Sequence, residues 1–267
     1  MDEREGAKRR IRMVVAYDGT RYAGFQLQLG VPSIQGELEK ALGKLLGGSR
    51  TVVFGASRTD GGVHAEGQVV HFDMTGRIPA EKIAFALNTM LPDDIRVTDS
   101  RRAADGFHAR FHATGKLYRY SVWNARHASP LHRLTHAHVP VPLDMDAMRS
   151  EALTLVGEHD FRAFQAAGAA GGSTRRRVHR VRLYQQGPHI ELLIHGNAFL
   201  YNMVRIVAGT LMDVGRGQVL PGAVARALTS GDRLDLGVTA PARGLTLLRV
   251  FYADDDQADA YFGVPLR

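Results

Sequence analysis

Through the first hundred residues the hydrophobic period switches repeatedly between that of a strand and that of a helix, and this alternation limits the fold more than any other feature. Residues 11–17, IRMVVAY, read as a strand stopped by the turn formers Asp18 and Gly19. After Pro32, Ser33 can cap a helix on which Ile34, Leu38, Leu42, Leu45 and Leu46 share one face, and Gly47-Gly48 ends it. TVVF at 51–54 and QVVHF at 68–72 read as short buried strands, Pro79 opens a helix to about Met90, and DIRV at 94–97 starts another strand. The resulting order, strand-helix-strand-strand-helix-strand, is that of a ferredoxin-like, RNA-recognition-type unit.

The second half repeats the theme loosely. KLYRYSVW at 116–123 is a strand with its tyrosines on one face. A helix from about Asp144 to Gly157 turns Met145, Met148, Ala152 and Leu155 inward. VHRVRLYQ and IELLIHG form a hairpin about Gly187-Pro188. A helix near 199–214, a short one opened by Pro221 and the strand GLTLLRVFY follow. AAGAAGGSTRRR at 166–177 has neither periodicity nor bulky apolar residues and reads as a mobile loop. The expected fold is α+β, with two lobes that each carry an antiparallel sheet and flanking helices. Its expected segments are a basic tail at 1–10, an N-terminal domain at 11–106 and a C-terminal domain at 107–267.

The chain contains no cysteine, which excludes disulfides, thiolate zinc sites, iron–sulfur clusters and a cysteine nucleophile. Its net charge is +7, with clusters at Lys8, Arg9, Arg10 and Arg12 and at Arg175, Arg176, Arg177, Arg180 and Arg182. Two separate basic clusters favour a polyanionic partner, RNA or DNA. No apolar run approaches the roughly 20 residues that span a bilayer. MDEREGAKRRIRM lacks the apolar core of a secretory signal, so a cytoplasmic location is expected. The acidic run Asp254, Asp255 and Asp256 reads as a solvated tail.

Between the second and third strands, GASRTDGGVHAEG is too polar and glycine-rich for regular structure, yet it concentrates Arg58, Thr59, Asp60 and His64 within a frame of glycines. Such a frame permits close approach of a ligand backbone. The same residues also suit a plain turn, with Arg58 paired to Asp60 across it. Other chemistries fit worse. YDGT at 17–20 lacks the aspartyl-phosphatase nucleophile, since Ala16 stands at that position, and no phosphate loop or dinucleotide fingerprint is present. His132, His136 and His138, and His108 and His112, lack metal-ligand spacing and read as surface or RNA-facing residues.

GASRTDGGVHAEGQVVHF resembles the catalytic signature of the tRNA pseudouridine synthase A (TruA) family. YDGTRYAGFQLQ, SIQGELEKAL, FHARFHATGKLYRY, NAFLYNMVRIVAGTLMDVG and RGLTLLRVFY resemble further family segments in the family's order, so the resemblance covers nearly the whole chain. Ser57 departs from the family's usual glycine, Gly61 from its usual alanine, and 166–177 from its bulkier polar residues.

The resemblance implies the pseudouridine synthase fold with a catalytic cleft between the lobes. It also implies isomerisation of uridine in the anticodon arm of tRNA, with no cofactor and no metal. Asp60 is then the catalytic carboxylate, either attacking C1′ or removing a proton from C2′. Arg58 fills the stack vacated by the flipped base, Arg205 pairs with Asp60, and Tyr118 stacks on the uracil. Leu245 is an apolar wall, and Thr59 and His64 shape the loop. Arg21, Arg175, Arg176 and Arg177 are expected to hold tRNA. A homodimer with one tRNA touching both subunits is also implied. The rivals are a non-catalytic tRNA-binding relative, a calcium-dependent nucleoside hydrolase lacking its aspartate cluster here, and the same chemistry on a different RNA site.

Overall fold

The computed structural model describes residues 8–48, 50–168, 171–253 and 258–263. The acidic run at Asp254–Asp256, most of the 1–10 tail and residues 169–170 therefore lie outside the described residues. The chain divides into two compact units: Met1–Thr114 with Leu247–Ala253, and Gly115–Thr246 with Asp254–Arg267.

The first unit contains β1 (Arg9–Tyr17), α1 (Ile34–Leu45), β2 (Phe54–Gly55), β3 (His64–Met74), α2 (Ala80–Asn88) and β4 (Ile95–Arg102). Alternate residues Ile11, Met13, Val15 and Tyr17 of β1 are buried, as the strand period requires. β1 pairs antiparallel with both β3 and β4, and β2 pairs antiparallel with β3. The order β4-β1-β3-β2 is therefore the RNA-recognition-type order that the element sequence implies. Leu247–Ala253 brings most of the chain's last strand, Leu245–Phe251, into this unit beside β3. The Ser33 hydroxyl caps α1 by accepting the Gly36 amide at 3.2 Å. On α2, the Ser100 hydroxyl accepts the Ala84 amide and donates to the Ala80 carbonyl, tying the helix to β4.

Two expectations need correction here. TVVF does not form a buried strand, since pairing begins only at Phe54, and both Val52 and Phe54 are exposed. The cause is local competition for the backbone: Glu39 Oε1 accepts the Val53 amide at 3.1 Å, and Gln35 donates to the Val53 carbonyl at 3.1 Å. Nor is GASRTDGGVHAEG irregular throughout. β3 begins at His64, because Tyr17 at the end of β1 pairs with Ala65.

The second unit contains β5 (Gly115–Asn124), β6 (Ala137–Val139), α3 (Met145–Thr154), β7 (Gly157–Asp160), β8 (Arg175–Gln186), β9 (His189–Gly196), α4 (Met203–Gly215), α5 (Ala223–Ser230) and α6 (Ala258–Gly263). The order is β5-β9-β8-β7, antiparallel throughout, with β6 parallel to β5. The reading of 166–177 as a loop is corrected at its end: Arg175, Arg176 and Arg177 begin β8, opposite Asp160, His159 and Glu158. β7 has no large apolar residue, so only its pairing defines it. α4 is almost wholly buried, and a Cβ on Gly209 would meet the Val238 carbonyl oxygen at 1.7 Å. The carboxylate of buried Glu151, on α3, accepts the amides of Gly222 and Val224 and so caps α5. No helix of the described residues is long and apolar enough to cross a membrane.

The strand Leu245–Phe251, β10, is the tenth among the described residues.

Candidate active site

The loop between β2 and β3 is held by its backbone on both sides. The Ala56 amide donates to the Val69 carbonyl at 2.8 Å. Gln68, wholly buried, accepts the Ser57 amide at 3.1 Å and returns a bond to the Ser57 carbonyl at 2.7 Å. Further on, the Thr59 carbonyl accepts the Phe25 amide at 3.0 Å, and Gly24 forms an antiparallel bridge with Asp60. The Thr59 and Tyr17 hydroxyls lie 2.8 Å apart, both buried. The Val63 amide closes a turn onto the Asp60 carbonyl at 3.2 Å, with Gly62 at φ +77°.

These contacts require glycine on the facing segment. Gly24 sits at φ +115°, and a Cβ there would lie 2.6 Å from the Thr59 carbonyl oxygen. A Cβ on Gly19 would lie 2.0 Å from that of Val63. Residues 19–25 therefore lie backbone-to-backbone against 59–63. Along the extended stretch the side chains alternate: Thr59 is buried, Arg58 exposed and Asp60 half-buried. Arg58 makes no ion pair with any described residue, so the alternative of a plain turn with Arg58 paired to Asp60 is not what forms.

His64, at the start of β3, places Nδ1 3.1 Å from both the Gly19 amide and Asp18 Oδ1. Burial opposes the Asp18 charge, but bonds from the Thr20 hydroxyl and amide, with the His64 ring close by, outweigh it and hold its pKa below the usual carboxylate value. Arg21 is exposed and donates through Nε at 2.8 Å and Nη2 at 2.5 Å to Asp94 Oδ2, while Tyr22 donates to Oδ1 at 2.6 Å.

In the second unit, Tyr118 on β5 is buried with its ring edge-on to Phe199 at 5.3 Å. Tyr120, two residues on, shares its face and donates to the Pro241 carbonyl at 2.9 Å. Burial pushes the Tyr120 phenol well above its usual pKa. Arg205, in the first turn of α4, donates from Nε to the Ala240 carbonyl and from Nη1 to Asn202 Oδ1, both at 2.8 Å. The Ala240 amide returns to the Arg205 carbonyl at 3.1 Å, so the guanidinium and its own backbone clasp one residue. Asn202 is the single non-glycine residue at positive φ (+60°) among the described residues. Leu245 is buried at the start of β10, next to Gly244, where a Cβ would meet the Tyr120 ring at 2.6 Å. Arg175 and Arg177 share the Glu158 carboxylate at 3.2 and 3.6 Å. Arg176 turns to the Ser173 and Arg175 carbonyls, and burial lowers its pKa.

The structure thus gathers Arg58, Thr59 and Asp60 on one loop, with Arg21 on the segment packed against it. Tyr118, Arg205 and Leu245 belong to the other unit, as do the arginines of β8. Among the described residues no group of three or more His, Cys, Asp or Glu is arranged to hold a metal ion.

A family model described as tRNA pseudouridine synthase matches residues 13–112 and 152–253. The chain belongs to the tRNA pseudouridine synthase family. Its fold is accordingly the α+β pseudouridine synthase fold. Among relatives named tRNA pseudouridine synthase A, the protein of Ruminiclostridium cellulolyticum is 44% identical over 245 residues, which is 91% of this chain and 100% of its own length. That of Brevibacillus brevis is 44% identical over 244 residues, covering 91% and 100%. That of Syntrophomonas wolfei is 42% identical over 248 residues, covering 93% and 99%. The segments that match the tRNA pseudouridine synthase family contain Asp60, Arg205 and Leu245, while Tyr118 falls between them.

Sequence reasoning passed over Gln68, Tyr17 and Asn202, which set the backbone around those residues. The glycines of YDGTRYAGF were a usable signal, because two glycines just after a strand mark a close backbone approach.

Proposed function

We propose that the chain isomerises uridine to pseudouridine in the anticodon arm of tRNA, with Asp60 as the catalytic carboxylate. The C1′–N1 bond breaks, the uracil turns, C1′ bonds to C5, the C5 proton leaves and N1 gains one. No electrons are exchanged with an outside partner, so the reaction needs positioning and one carboxylate rather than a redox group. The target base is first flipped from its stack, at a cost of a few kcal/mol. The observation that supports this reading best is the way Asp60 is held. Its bridge to Gly24 and its carbonyl bond from Val63 fix the backbone from which the carboxylate projects. The proposal includes the roles expected above of Arg58, Tyr118, Arg205 and Leu245.

The net charge of +7 and the arginines of β8 support a polyanionic substrate. A homodimer spanned by one tRNA and a cytoplasmic location complete the reading. Sedimentation giving only a 29.2 kDa species would remove the dimer. The decisive experiment is tritium release from tRNA labelled at C5 of uridine, comparing the native protein with Asp60→Asn. Release by the native protein alone is expected, with tRNA binding by the variant within about tenfold of native. Equal release by the variant would end the role given to Asp60.

A further inference from the structure

A row of rings in the first unit takes no part in the chemistry above. Buried His71 on β3 carries Phe54 of β2 stacked on it, with centroids 5.1 Å apart and planes at 19°. His108 lies 4.6 Å from His71, and Phe111 lies 4.2 Å from His108 at 32°. The row is buried in its middle and open at its ends: Phe54 is 48% exposed and Phe111 74%.

The histidines fix the segment that carries the open ring. His71 Nδ1 accepts the Ala109 amide at 3.2 Å, and His108 Nδ1 accepts the amides of Arg110 and Phe111 at 3.1 and 3.3 Å. Phe111 is therefore held outward by its own turn. The guanidinium carbon of Arg110 sits 5.9 Å from the Phe111 centroid, and this exposed arginine makes no ion pair with any described residue. A fixed, exposed aromatic ring beside an unneutralised arginine provides a π-face for a base and a cation for its phosphate.

We propose that Phe111, Arg110 and Phe54 form a stacking platform for an unpaired base of the RNA substrate, other than the uridine that is isomerised. The proposal rests on the reading of the substrate as RNA. A protein partner would also accept the apolar rings, but the positive charge of Arg110 and of the chain as a whole favours the polyanion.

The test measures tritium release from full-length tRNA by the native protein and by Phe111→Ala, Phe111→Leu, Phe111→Tyr and Arg110→Ala. KM is expected to rise about fivefold or more in Phe111→Ala, the lower end of what one base–ring stack contributes. The kcat should stay within about twofold of native, because the platform does not touch the reacting atoms. Phe111→Tyr should keep the native KM while Phe111→Leu behaves as Phe111→Ala. That pattern identifies a π-face rather than apolar bulk, and unchanged thermal unfolding of the exposed-site variants would exclude misfolding. Native KM in both Phe111→Ala and Arg110→Ala, with the native protein active, overturns the platform and leaves the functional reading standing. Full rescue by leucine also overturns it. A native protein that releases no tritium from any tRNA removes the functional reading and this proposal with it.

Discussion

Gln68 and Ser57 exchange two hydrogen bonds, amide to carbonyl in both directions at 3.1 and 2.7 Å, so a side chain of β3 replaces a strand partner for the loop that carries Asp60. Gln68 is wholly buried and Ser57 nearly so, which leaves the Ser57 backbone groups little water to replace the bonds if Gln68 is removed. Gln68→Leu should therefore destabilise the protein, with each orphaned backbone group costing about 1–3 kcal/mol. Urea unfolding that shows less than about 1 kcal/mol of loss would mean the loop repairs the bonds by itself.

Two glycines of this region should respond in opposite ways to alanine. At Gly24 the backbone is left-handed and the added carbon meets the Thr59 carbonyl oxygen at 2.6 Å, so Gly24→Ala should displace the segment facing Asp60 and lower kcat. At Gly61 the nearest atoms are 3.5 Å away and φ is not left-handed, so Gly61→Ala should fold well and gain about 0.4–1 kcal/mol through the unfolded chain. Thermal unfolding and tritium release of the two variants, compared side by side, check both halves.

The arginines at the start of β8 are expected to contact phosphate, and the structure adds a competitor. Glu158 already engages Arg175 and Arg177. Replacing Arg175, Arg176 and Arg177 with alanine should weaken tRNA binding and flatten its dependence on salt, by about 0.7–0.9 of log–log slope for each phosphate no longer neutralised. Glu158→Gln should have the reverse effect on affinity, since it releases two cations. A salt slope identical to native in the triple variant would show that this strand does not reach phosphate.

Stability should depend on pH through histidines whose pKa burial lowers, His71 and His136 foremost, with His108, His179 and His189 shifted in the same direction. Burial, reinforced by His108 and Arg10, pushes His71 down to about 4, and burial with His132 and His189 nearby does the same to His136. Asp73 opposes the shift at His71 only in part. Both rings are neutral in the folded protein while the unfolded chain binds protons below its ordinary value of 6.5. Their contribution is thus complete above pH 6.5, declines as pH falls and is gone near pH 4. The melting temperature should drop between pH 6.5 and 5, before most carboxylates titrate, and His136→Gln should reduce that drop. A melting temperature constant across this window would mean that these rings protonate without cost.

The hydrophobic periods of the sequence alone determined the helices and most strands of the first unit, and so its β4-β1-β3-β2 order. A helix closes its hydrogen bonds within one segment, so α1 is readable from Ser33, Ile34, Leu38 and Leu42. The RTDGGVH stretch likewise marked itself by its glycines around Asp60, although the close backbone approach is made by Gly24 and Gly19 of the facing segment. What only the tertiary structure decided is where strands begin and end, since a strand's partners lie far away in the chain. Val53 stays out of the sheet because Glu39 and Gln35 take its backbone groups, and Arg175–Arg177 join it because Gly157–Asp160 lies alongside. The return of Leu247–Ala253 to the first unit has the same origin, a pairing that no window of neighbouring residues contains.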